Sequence, residues 1–304
     1  MRYNIRMEEK KYGRVVILGR PNTGKSTLLN AIMGQKVAIT SPLPQTSRKN
    51  QRVLYRGKKG KIIFSDTPGI IDKVRDLVSK RANAEAPKEL GRADVVVVMV
   101  DISRAKSEEE NKVIGLVRNI DVAKILVYNK TDKAVGSKDH RADYHWMEEE
   151  FDKTVAVSAI KDRHVAGLLN EIFSLLPEKT NREVMEEIAL IEKSGHPVMG
   201  MGSREYIAEL IREKAYLCLR QEVPYSVNVE VIEIKEKKNI IVVKADIFTT
   251  YRRYKKMIIG RGGSKIKQIG VAARKELELM SGKKVFLELE VKIDQHWPER
   301  VMES

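Results

Sequence analysis

One short segment, residues 19–26 (GRPNTGKS), constrains the fold of this chain more than any other. It has the pattern G-x-x-x-x-G-K-[ST] and directly follows the apolar run at residues 15–18. A buried strand that leads through a glycine-rich turn into a helix leaves unpaired backbone N–H groups beside the positive end of that helix. We therefore predict a phosphate-binding loop, in which Lys25 reaches the β- and γ-phosphates and the Ser26 hydroxyl ligates Mg²⁺.

Length and charge limit the class of protein. At 304 residues the chain favours two domains. It has no run of 18 apolar residues, and its charged N-terminus is not followed by an apolar segment, so we expect a cytosolic protein without signal peptide or membrane span. The single cysteine, Cys218, excludes an internal disulfide framework. A net charge of +15 favours a polyanionic partner, either nucleic acid or an anionic membrane surface.

The first part of the chain alternates between strand-like and helix-like segments. Strands that are mostly apolar on both faces are predicted at 15–18, 61–64, 95–100, 125–128 and 154–157, with a less apolar edge strand at 52–55. The clearest helices are predicted at 25–33, 108–118 and 165–176. Strands buried on both faces belong in a parallel sheet covered by helices. We predict a doubly wound α/β domain over residues 1–180.

The second part has a different order of predicted helices and strands. The polar stretch after Pro177 is predicted to begin a linker, residues 181–200. A domain over 201–304 follows, with helices predicted at 204–221 and 265–280 and strands at 226–234, 240–248 and 285–293. This order indicates an α+β unit.

Two further motifs follow strands of the first domain. Asp66, Thr67, Pro68 and Gly69 come after the strand at 61–64. Ligands of open α/β sheets bind at the carboxyl ends of the strands. Asp66 is therefore predicted to hold the Mg²⁺ shell, and the Gly69 N–H to meet a γ-phosphate.

The other motif selects the base. Asn129, Lys130 and Asp132 follow the strand at 125–128. A carboxylate there accepts both N1–H and the 2-amino group of guanine, which adenine cannot supply, so Asp132 selects GTP over ATP. Lys130 is predicted to lie along the base plane, and Asn129 to tie this loop to the phosphate loop. A fourth motif, Ser158, Ala159 and Ile160 after the last strand, would supply a backbone N–H to the guanine oxygen.

With these four motifs the chain resembles the translation-factor-related GTPases, which share a Ras-like G domain. The resemblance implies that a threonine between the first helix and the second strand closes on Mg²⁺ and the γ-phosphate. Thr46 is our choice, and Ser47, which precedes Arg48, is its rival. Ras-like enzymes carry a water-orienting glutamine where this chain has Ile70. This departure resembles a subfamily in which some members bind K⁺ through a phosphate-loop asparagine, here Asn22, and it predicts slow intrinsic hydrolysis stimulated by K⁺ or a partner.

A second glycine loop lies in the most basic stretch of the chain. Residues 251–267 contain seven lysines and arginines and no acidic residue. Within them, Gly260 to Gly263 form a Gly-x-x-Gly element that joins two predicted helices, as the RNA-clamping loop of KH domains does. The predicted order of helix, two strands, helix, glycine loop, helix and strand looks like the type II arrangement of KH domains. Tyr251 and Tyr254 would stack on bases or pack in the core, and packing is the interpretation we prefer.

A G domain followed by a KH-like unit resembles the Era family of bacterial GTPases over nearly the whole chain. The resemblance implies binding to the 3′ end of 16S rRNA, a role in small-subunit maturation and loose association with the inner membrane; we expect a monomer. The competing interpretation is a signalling or membrane-associated GTPase whose C-terminal domain binds protein or lipid. The uninterrupted basic glycine loop favours RNA.

The predicted site residues form four sets. Those predicted to bind GTP are Gly19, Arg20, Pro21, Asn22, Thr23, Gly24, Lys25, Ser26, Thr27, Asp66, Thr67, Pro68, Gly69, Asn129, Lys130, Asp132, Ser158, Ala159 and Ile160. The predicted catalytic residues are Lys25, Thr46, Ser47 and Gly69, and the Mg²⁺ ligands are Ser26, Thr46 and Asp66. The predicted RNA-binding residues are Arg252, Lys255, Lys256, Ile259, Gly260, Arg261, Gly262, Gly263, Ser264 and Lys265.

Overall fold

The structure, a computed structural model, describes residues 10–37, 51–66, 87–136, 139–178, 181–193, 203–219 and 222–299. These residues fall into two compact units. The described residues up to Lys193 belong to the first unit, and those from Ser203 onward belong to the second. Among the described residues, no helix is long and apolar enough to cross a lipid bilayer.

The first unit is built on a six-stranded sheet. Its strands are β1 (Lys11–Leu18), β2 (Gln51–Gly57), β3 (Gly60–Asp66), β4 (Val95–Asp101), β5 (Ala123–Asn129) and β6 (Lys153–Ala156), in the order β2-β3-β1-β4-β5-β6. All pairs are parallel except the edge strand β2, which runs antiparallel to β3. The valine-rich β4 is buried along its whole length. The predicted doubly wound α/β fold is confirmed, with one antiparallel edge strand added.

The chain leaves β1 at the point where the strand order reverses. Strand β3 lies on one side of β1 and β4 on the other. In open α/β sheets a ligand binds in the crevice at this switch point, outside the carboxyl ends of the strands. Helix α1 (Lys25–Met33) begins there, and α2 (Glu108–Arg118) and α3 (Val165–Leu175) complete the alternation, with 3₁₀ helices at Arg141–Glu150 and Ala159–Lys161.

A helix occupies the interval that the sequence indicated as a linker. Helix α4 (Arg182–Lys193) buries Val184, Ile188 and Ile191, which pack against Leu54 and Ile63 of the sheet. These three residues recur every three or four positions, so they form one apolar stripe although the segment as a whole is polar. The prediction of a linker is therefore wrong for residues 182–193.

Ion pairs add to this packing. Glu187 accepts hydrogen bonds from Arg14 Nε at 2.7 Å and from Arg52 Nη1 at 3.0 Å. Both arginines lie on strands of the sheet, so α4 is held by charge as well as by apolar contact.

Ile188→Ala is expected to destabilise the first unit by about 2–4 kcal/mol, the usual cost of a large-to-small change in a core. Hydrogen exchange of the β2 and β3 amides measures this loss. Leu190→Ala on the same helix is the matched control, because Leu190 is 71% exposed. Equal protection in the two variants would contradict the packing role of α4.

The second unit pairs helices with a three-stranded sheet. Its elements are α5 (Ser203–Cys218), β7 (Val227–Glu236), β8 (Ile240–Thr249), α6 (Arg252–Ile259), α7 (Ser264–Ser281) and β9 (Lys284–Ile293), with a 3₁₀ turn at Val223–Ser226. The sheet order is β7-β8-β9, antiparallel between β7 and β8 and parallel between β8 and β9. The predicted order of helix, two strands, helix, glycine loop, helix and strand is confirmed.

Candidate nucleotide site and nucleic-acid interface

The phosphate loop connects β1 to α1 at the switch point of the sheet. Gly24 caps α1 with φ 101°, and no side chain caps the helix. The first amides of α1 are therefore available to an anion. A Cβ at Gly24 would lie 2.4 Å from Nδ2 of Asn129. Glycine is required here because the Asn129 side chain, at the end of β5, approaches so closely.

Lys25 is folded over the loop. Its side chain is buried, and Nζ donates to the carbonyls of Gly19 at 2.9 Å and Arg20 at 3.0 Å. Burial lowers the pKa of Lys25 to about 8, although the nearby Asp66 carboxylate acts in the opposite direction. A cation that has already lost its hydration gains a great deal from a phosphate oxygen placed beside it.

The oxygens of Ser26 and Asp66 suit a hard cation. Ser26 Oγ donates to Asp66 Oδ2 at 2.7 Å. Burial raises the pKa of Asp66, and Oδ1 of this carboxylate is buried with no hydrogen-bond partner among the described residues. A hydroxyl and an unsatisfied carboxylate oxygen fit Mg²⁺, which prefers oxygen ligands and keeps several waters. These residues would hold the ion; Thr46, the third predicted ligand, lies outside the described residues.

Asn129 joins three loops. Its Nδ2 donates to the Thr23 carbonyl at 2.7 Å, and its Oδ1 accepts from the Ala159 N–H at 3.0 Å. Asn129 is buried, so these bonds are shielded from water. The phosphate loop, the loop after β5 and the turn after β6 are thereby held at fixed spacing.

Asp132 and the turn after β6 are joined as well. Ser158 Oγ donates to Asp132 Oδ1 at 2.5 Å. Ser158 and Ala159 are buried, whereas Ile160 is 68% exposed. The hydroxyl fixes one carboxylate oxygen of Asp132 and so orients the other.

Residues that sequence reasoning missed support the same loops. Lys130 Nζ donates to the Asn22 carbonyl and to Asp101 Oδ2, both at 2.7 Å. Arg20, in the phosphate loop, forms a buried ion pair of 2.8 Å with Glu110. The predicted helix at 108–118 is confirmed, and Ser107 and Glu110 form a capping box at its start, but the pairing of Glu110 with Arg20 was not predicted. Asp101 had a usable signal, because it ends a buried strand as Asp66 does.

Several predicted residues cannot be placed against this geometry. Thr46, Ser47, Thr67, Pro68 and Gly69, together with Ile70, lie outside the described residues, so their roles stay predictions. Thr27 is half-buried in the first turn of α1.

Binding of GDP is expected to weaken about fourfold between pH 7.0 and 8.5, because free Lys25 loses its proton near pH 8 whereas a bound phosphate holds it. Above the pKa of the free protein, binding must take up a proton, so affinity falls as pH rises. Titration calorimetry measures this slope. Lys25→Arg is the control, since its guanidinium stays charged. An equal slope in both proteins would remove Lys25 as the cause.

The second glycine turn joins α6 to α7. Gly260, Gly262 and Gly263 have φ values of 75°, 59° and 76°. A Cβ at Gly260 would lie 2.8 Å from the Lys265 side chain, whereas a Cβ at Gly262 or Gly263 meets nothing within 4 Å. No side chain caps the N-terminus of α7. The turn is therefore open to a phosphate backbone.

The basic residues around this turn differ in exposure. Arg252, Lys256, Arg261 and Ser264 are exposed, whereas Lys255, Ile259 and Lys265 are half-buried. Lys265 Nζ donates to the Cys218 carbonyl at 3.2 Å, at the end of α5. The Lys265 amine is thus engaged within the unit. Tyr254 is buried, as the packing interpretation has it, while Tyr251 is 55% exposed.

A groove runs beside the glycine turn, between α7 and β9. Its volume is about 330 Å³, and its walls are formed by Ile266, Lys267, Gly270, Val271, Arg274, Leu287 and Leu289. Apolar walls with two cations can accept unstacked bases and their phosphates. Sequence reasoning missed the contribution of β9, because it appears only when strand and helix are brought together.

Two family models match the chain. The model described as "50S ribosome-binding GTPase" matches residues 14–130, and the KH domain model matches residues 222–298. Curated relatives include GTPase Era of Halothermothrix orenii, 36% identical over 291 residues, with 95% of each chain covered. GTPase Era of Thermotoga maritima is 35% identical over 294 residues, covering 95% of this chain and 94% of the relative.

Solved structures agree. Era in complex with MgGDPNP and nucleotides 1506–1542 of 16S ribosomal RNA is 33% identical, with a TM-score of 0.85 and 96% of each chain covered. An Aquifex aeolicus Era variant bound to GDP·AlF₄⁻ is 34% identical, with a TM-score of 0.84, covering 95% of this chain and 96% of that one. With its phosphate and base loops joined through Asn129 and its glycine turn set beside a basic groove, the chain belongs to the Era family and is a GTP-hydrolysing enzyme.

Proposed function

We propose that this GTPase is a molecular switch that binds the 3′ end of 16S rRNA through its KH domain and assists assembly and maturation of the small (30S) ribosomal subunit. The observation that carries the proposal is the open glycine turn beside the apolar and basic groove of α7 and β9. The solved Era complex, which holds MgGDPNP and nucleotides 1506–1542 of 16S rRNA at 33% identity to this chain, supports it.

The turn and the groove have separate tasks in this proposal. Gly262 and Gly263 carry no side chain that would keep RNA phosphates away, and the uncapped end of α7 favours their charge. Leu287 and Leu289 offer apolar contact to unstacked bases, and Lys267 and Arg274 pair with phosphates. The turn would hold the backbone while the groove receives the bases.

At the nucleotide, Asp132 reads the guanine edge, Lys130 lies along its plane, and Lys25 contacts the β- and γ-phosphates. Ser26 and Asp66 would hold Mg²⁺, which when bound neutralises charge on those phosphates. Thr46 or Ser47 and the Gly69 N–H would complete the γ-phosphate contacts.

We attribute slow intrinsic hydrolysis to Ile70, whose side chain has no atom that can orient water, and assign K⁺ binding to Asn22. Asn22 has φ 64° in the phosphate loop, a left-handed backbone conformation that few residues other than glycine, asparagine and aspartate adopt. Hydrolysis should be faster in KCl than in NaCl, and Asn22→Asp should remove the difference. Equal rates in the two salts for the unmodified protein would contradict the assignment, as would an unchanged K⁺ response in the variant.

The RNA proposal is tested by fluorescence anisotropy with a labelled fragment of the 16S 3′ end. We expect the GDPNP-bound and GDP-bound proteins to differ in affinity by about tenfold or more, since allosteric coupling typically lies in this range. A scrambled fragment of equal length controls for charge. Equal affinity for both fragments, or no difference between nucleotide states, would overturn the proposal.

We also propose a cytoplasmic monomer that loosely contacts the inner membrane. The net charge of +15 supports attraction to an anionic surface. Flotation with vesicles that contain anionic lipid should recover more protein than flotation with neutral vesicles. Binding to vesicles but not to the 16S fragment would favour a lipid-binding function of the C-terminal domain.

A further inference from the structure

Asp101 contacts Lys130 of the base loop without belonging to any motif of the nucleotide site. It is the last residue of β4 and pairs in register with Asn129 of β5. Its side chain is only 2% exposed. A buried carboxylate is stable only when charged or hydrogen-bonding partners compensate it.

The two oxygens of this carboxylate have different partners. Oδ1 accepts from the Ser103 N–H at 3.1 Å and from Ser103 Oγ at 2.7 Å. Oδ2 accepts from Lys130 Nζ at 2.7 Å and forms an ion pair of 2.9 Å with Arg104 Nε. Ser103 fixes the orientation of the group, and the fixed oxygen binds two cations.

Both cationic side chains also donate hydrogen bonds to the phosphate loop. Lys130 Nζ also donates to the Asn22 carbonyl at 2.7 Å, and Arg104 Nη2 donates to the Pro21 carbonyl at 2.9 Å. These carbonyls are consecutive, and Asn22 is the loop residue with φ 64°. One carboxylate thus holds two side chains that together bind two consecutive carbonyls of the phosphate loop.

The charge state of Asp101 is consistent with this arrangement. Burial alone would raise its pKa, but hydrogen bonds from Lys130 and Ser103 and the charges of Lys130 and Arg104 outweigh burial and lower it. The carboxylate is therefore ionised at neutral pH.

We propose that Asp101 is a positioning residue for guanine nucleotides: it fixes Lys130 and Arg104 against the phosphate loop and thereby sets the spacing between that loop and the base loop. The inference rests on the proposed role of Lys130 at the base. The partners of the Asp101 carboxylate are Ser103, Lys130 and Arg104 rather than the reacting phosphate, so we expect it to contribute equally to the ground state and the transition state. Loss of such uniform binding raises KM and leaves kcat unchanged.

The test is Asp101→Asn in the full chain. We expect Kd for a fluorescent GDP and KM for GTP to rise about tenfold or more, with kcat within about threefold, as for loss of one partner in a buried charge network. In a double-mutant cycle with Lys130→Met, adding Asp101→Asn should change Kd by less than about threefold, because only the contact of Asp101 with Arg104 is then left to lose. If Asp101→Asn does not fold, Ser103→Ala removes the orienting hydroxyl and should raise Kd about threefold.

Asp94→Asn is the matched control at the other end of β4. Its carboxylate accepts a hydrogen bond from the Arg14 N–H at 2.7 Å, away from the loops at the carboxyl edge. This variant should lose stability and keep its GDP affinity. The proposal is overturned if Asp101→Asn binds GDP within twofold of the unmodified protein, if Asp94→Asn weakens binding equally, or if the effects of Asp101→Asn and Lys130→Met are additive. These measurements are made without RNA, so a failure of the RNA-binding proposal would leave their results unaffected.

Discussion

Asp132→Asn is expected to weaken GTP binding by roughly 10³-fold or more and to create a preference for xanthosine triphosphate, because a site built to pair with polar groups rejects analogues that leave them unpaired. Ser158 Oγ donates to Asp132 Oδ1 at 2.5 Å. In the variant this hydroxyl keeps the amide oxygen on its own side, so the amide nitrogen faces the base. There it opposes the 2-amino group of guanine, donor against donor, but can donate to the 2-oxo group of xanthine.

Competition of both nucleotides against a fluorescent GDP measures this preference. Asp121→Asn is the matched control: it makes the same change at an exposed position just before β5, at the opposite end of that strand. It should bind GTP as the unmodified protein does. If Asp132→Asn still prefers GTP over xanthosine triphosphate, Asp132 does not recognise the base.

The motifs at strand ends could be predicted because their chemistry is local. The phosphate loop and the loop of Asn129 to Asp132 each combine a buried strand with polar residues directly after it, and a parallel sheet brings such ends to one edge. The contacts of Asn129 with Thr23 and Ala159 follow from that convergence.

The supporting residues could not be found in this way. Arg104 donates to the Pro21 carbonyl, 83 positions away in sequence. No local sequence pattern at either residue predicts this contact. Glu110 serves as a helix cap and as a partner of Arg20, and only the first role has a local pattern. Helix α4 was missed because its apolar stripe is short and its other residues are charged. Roles fixed by tertiary distance need the fold first.

The same limit applies to the nucleic-acid surface. The glycine turn was predictable from its basic surroundings. Lys265 beside it was predicted only as an RNA-binding residue. Lys265 donates to the Cys218 carbonyl, so its charge is partly used within the unit. Arg274 and the leucines of β9 complete a groove that only the packing of α7 on β9 creates. The turn itself is therefore the sharpest target for a test of RNA binding.

Gly262→Asp is expected to weaken binding of the 16S 3′-end fragment by roughly 100-fold or more, since like charges brought together at an interface cost several kcal/mol. The position has φ 59°, which aspartate tolerates better than most residues, and a Cβ there meets nothing within 4 Å. The fold should therefore survive, and GTP hydrolysis without RNA should stay unchanged. The added carboxylate would face the RNA phosphates that the open turn admits.

Gly34→Asp provides the matched control for this variant. Gly34 has φ 63° and open space at its Cβ, and it ends α1 in the other unit, so the control changes net charge and backbone strain equally. Anisotropy with the labelled fragment should show normal binding for Gly34→Asp and loss for Gly262→Asp. If both variants bind alike, attraction to RNA comes from net charge alone, and the glycine turn is not the RNA clamp.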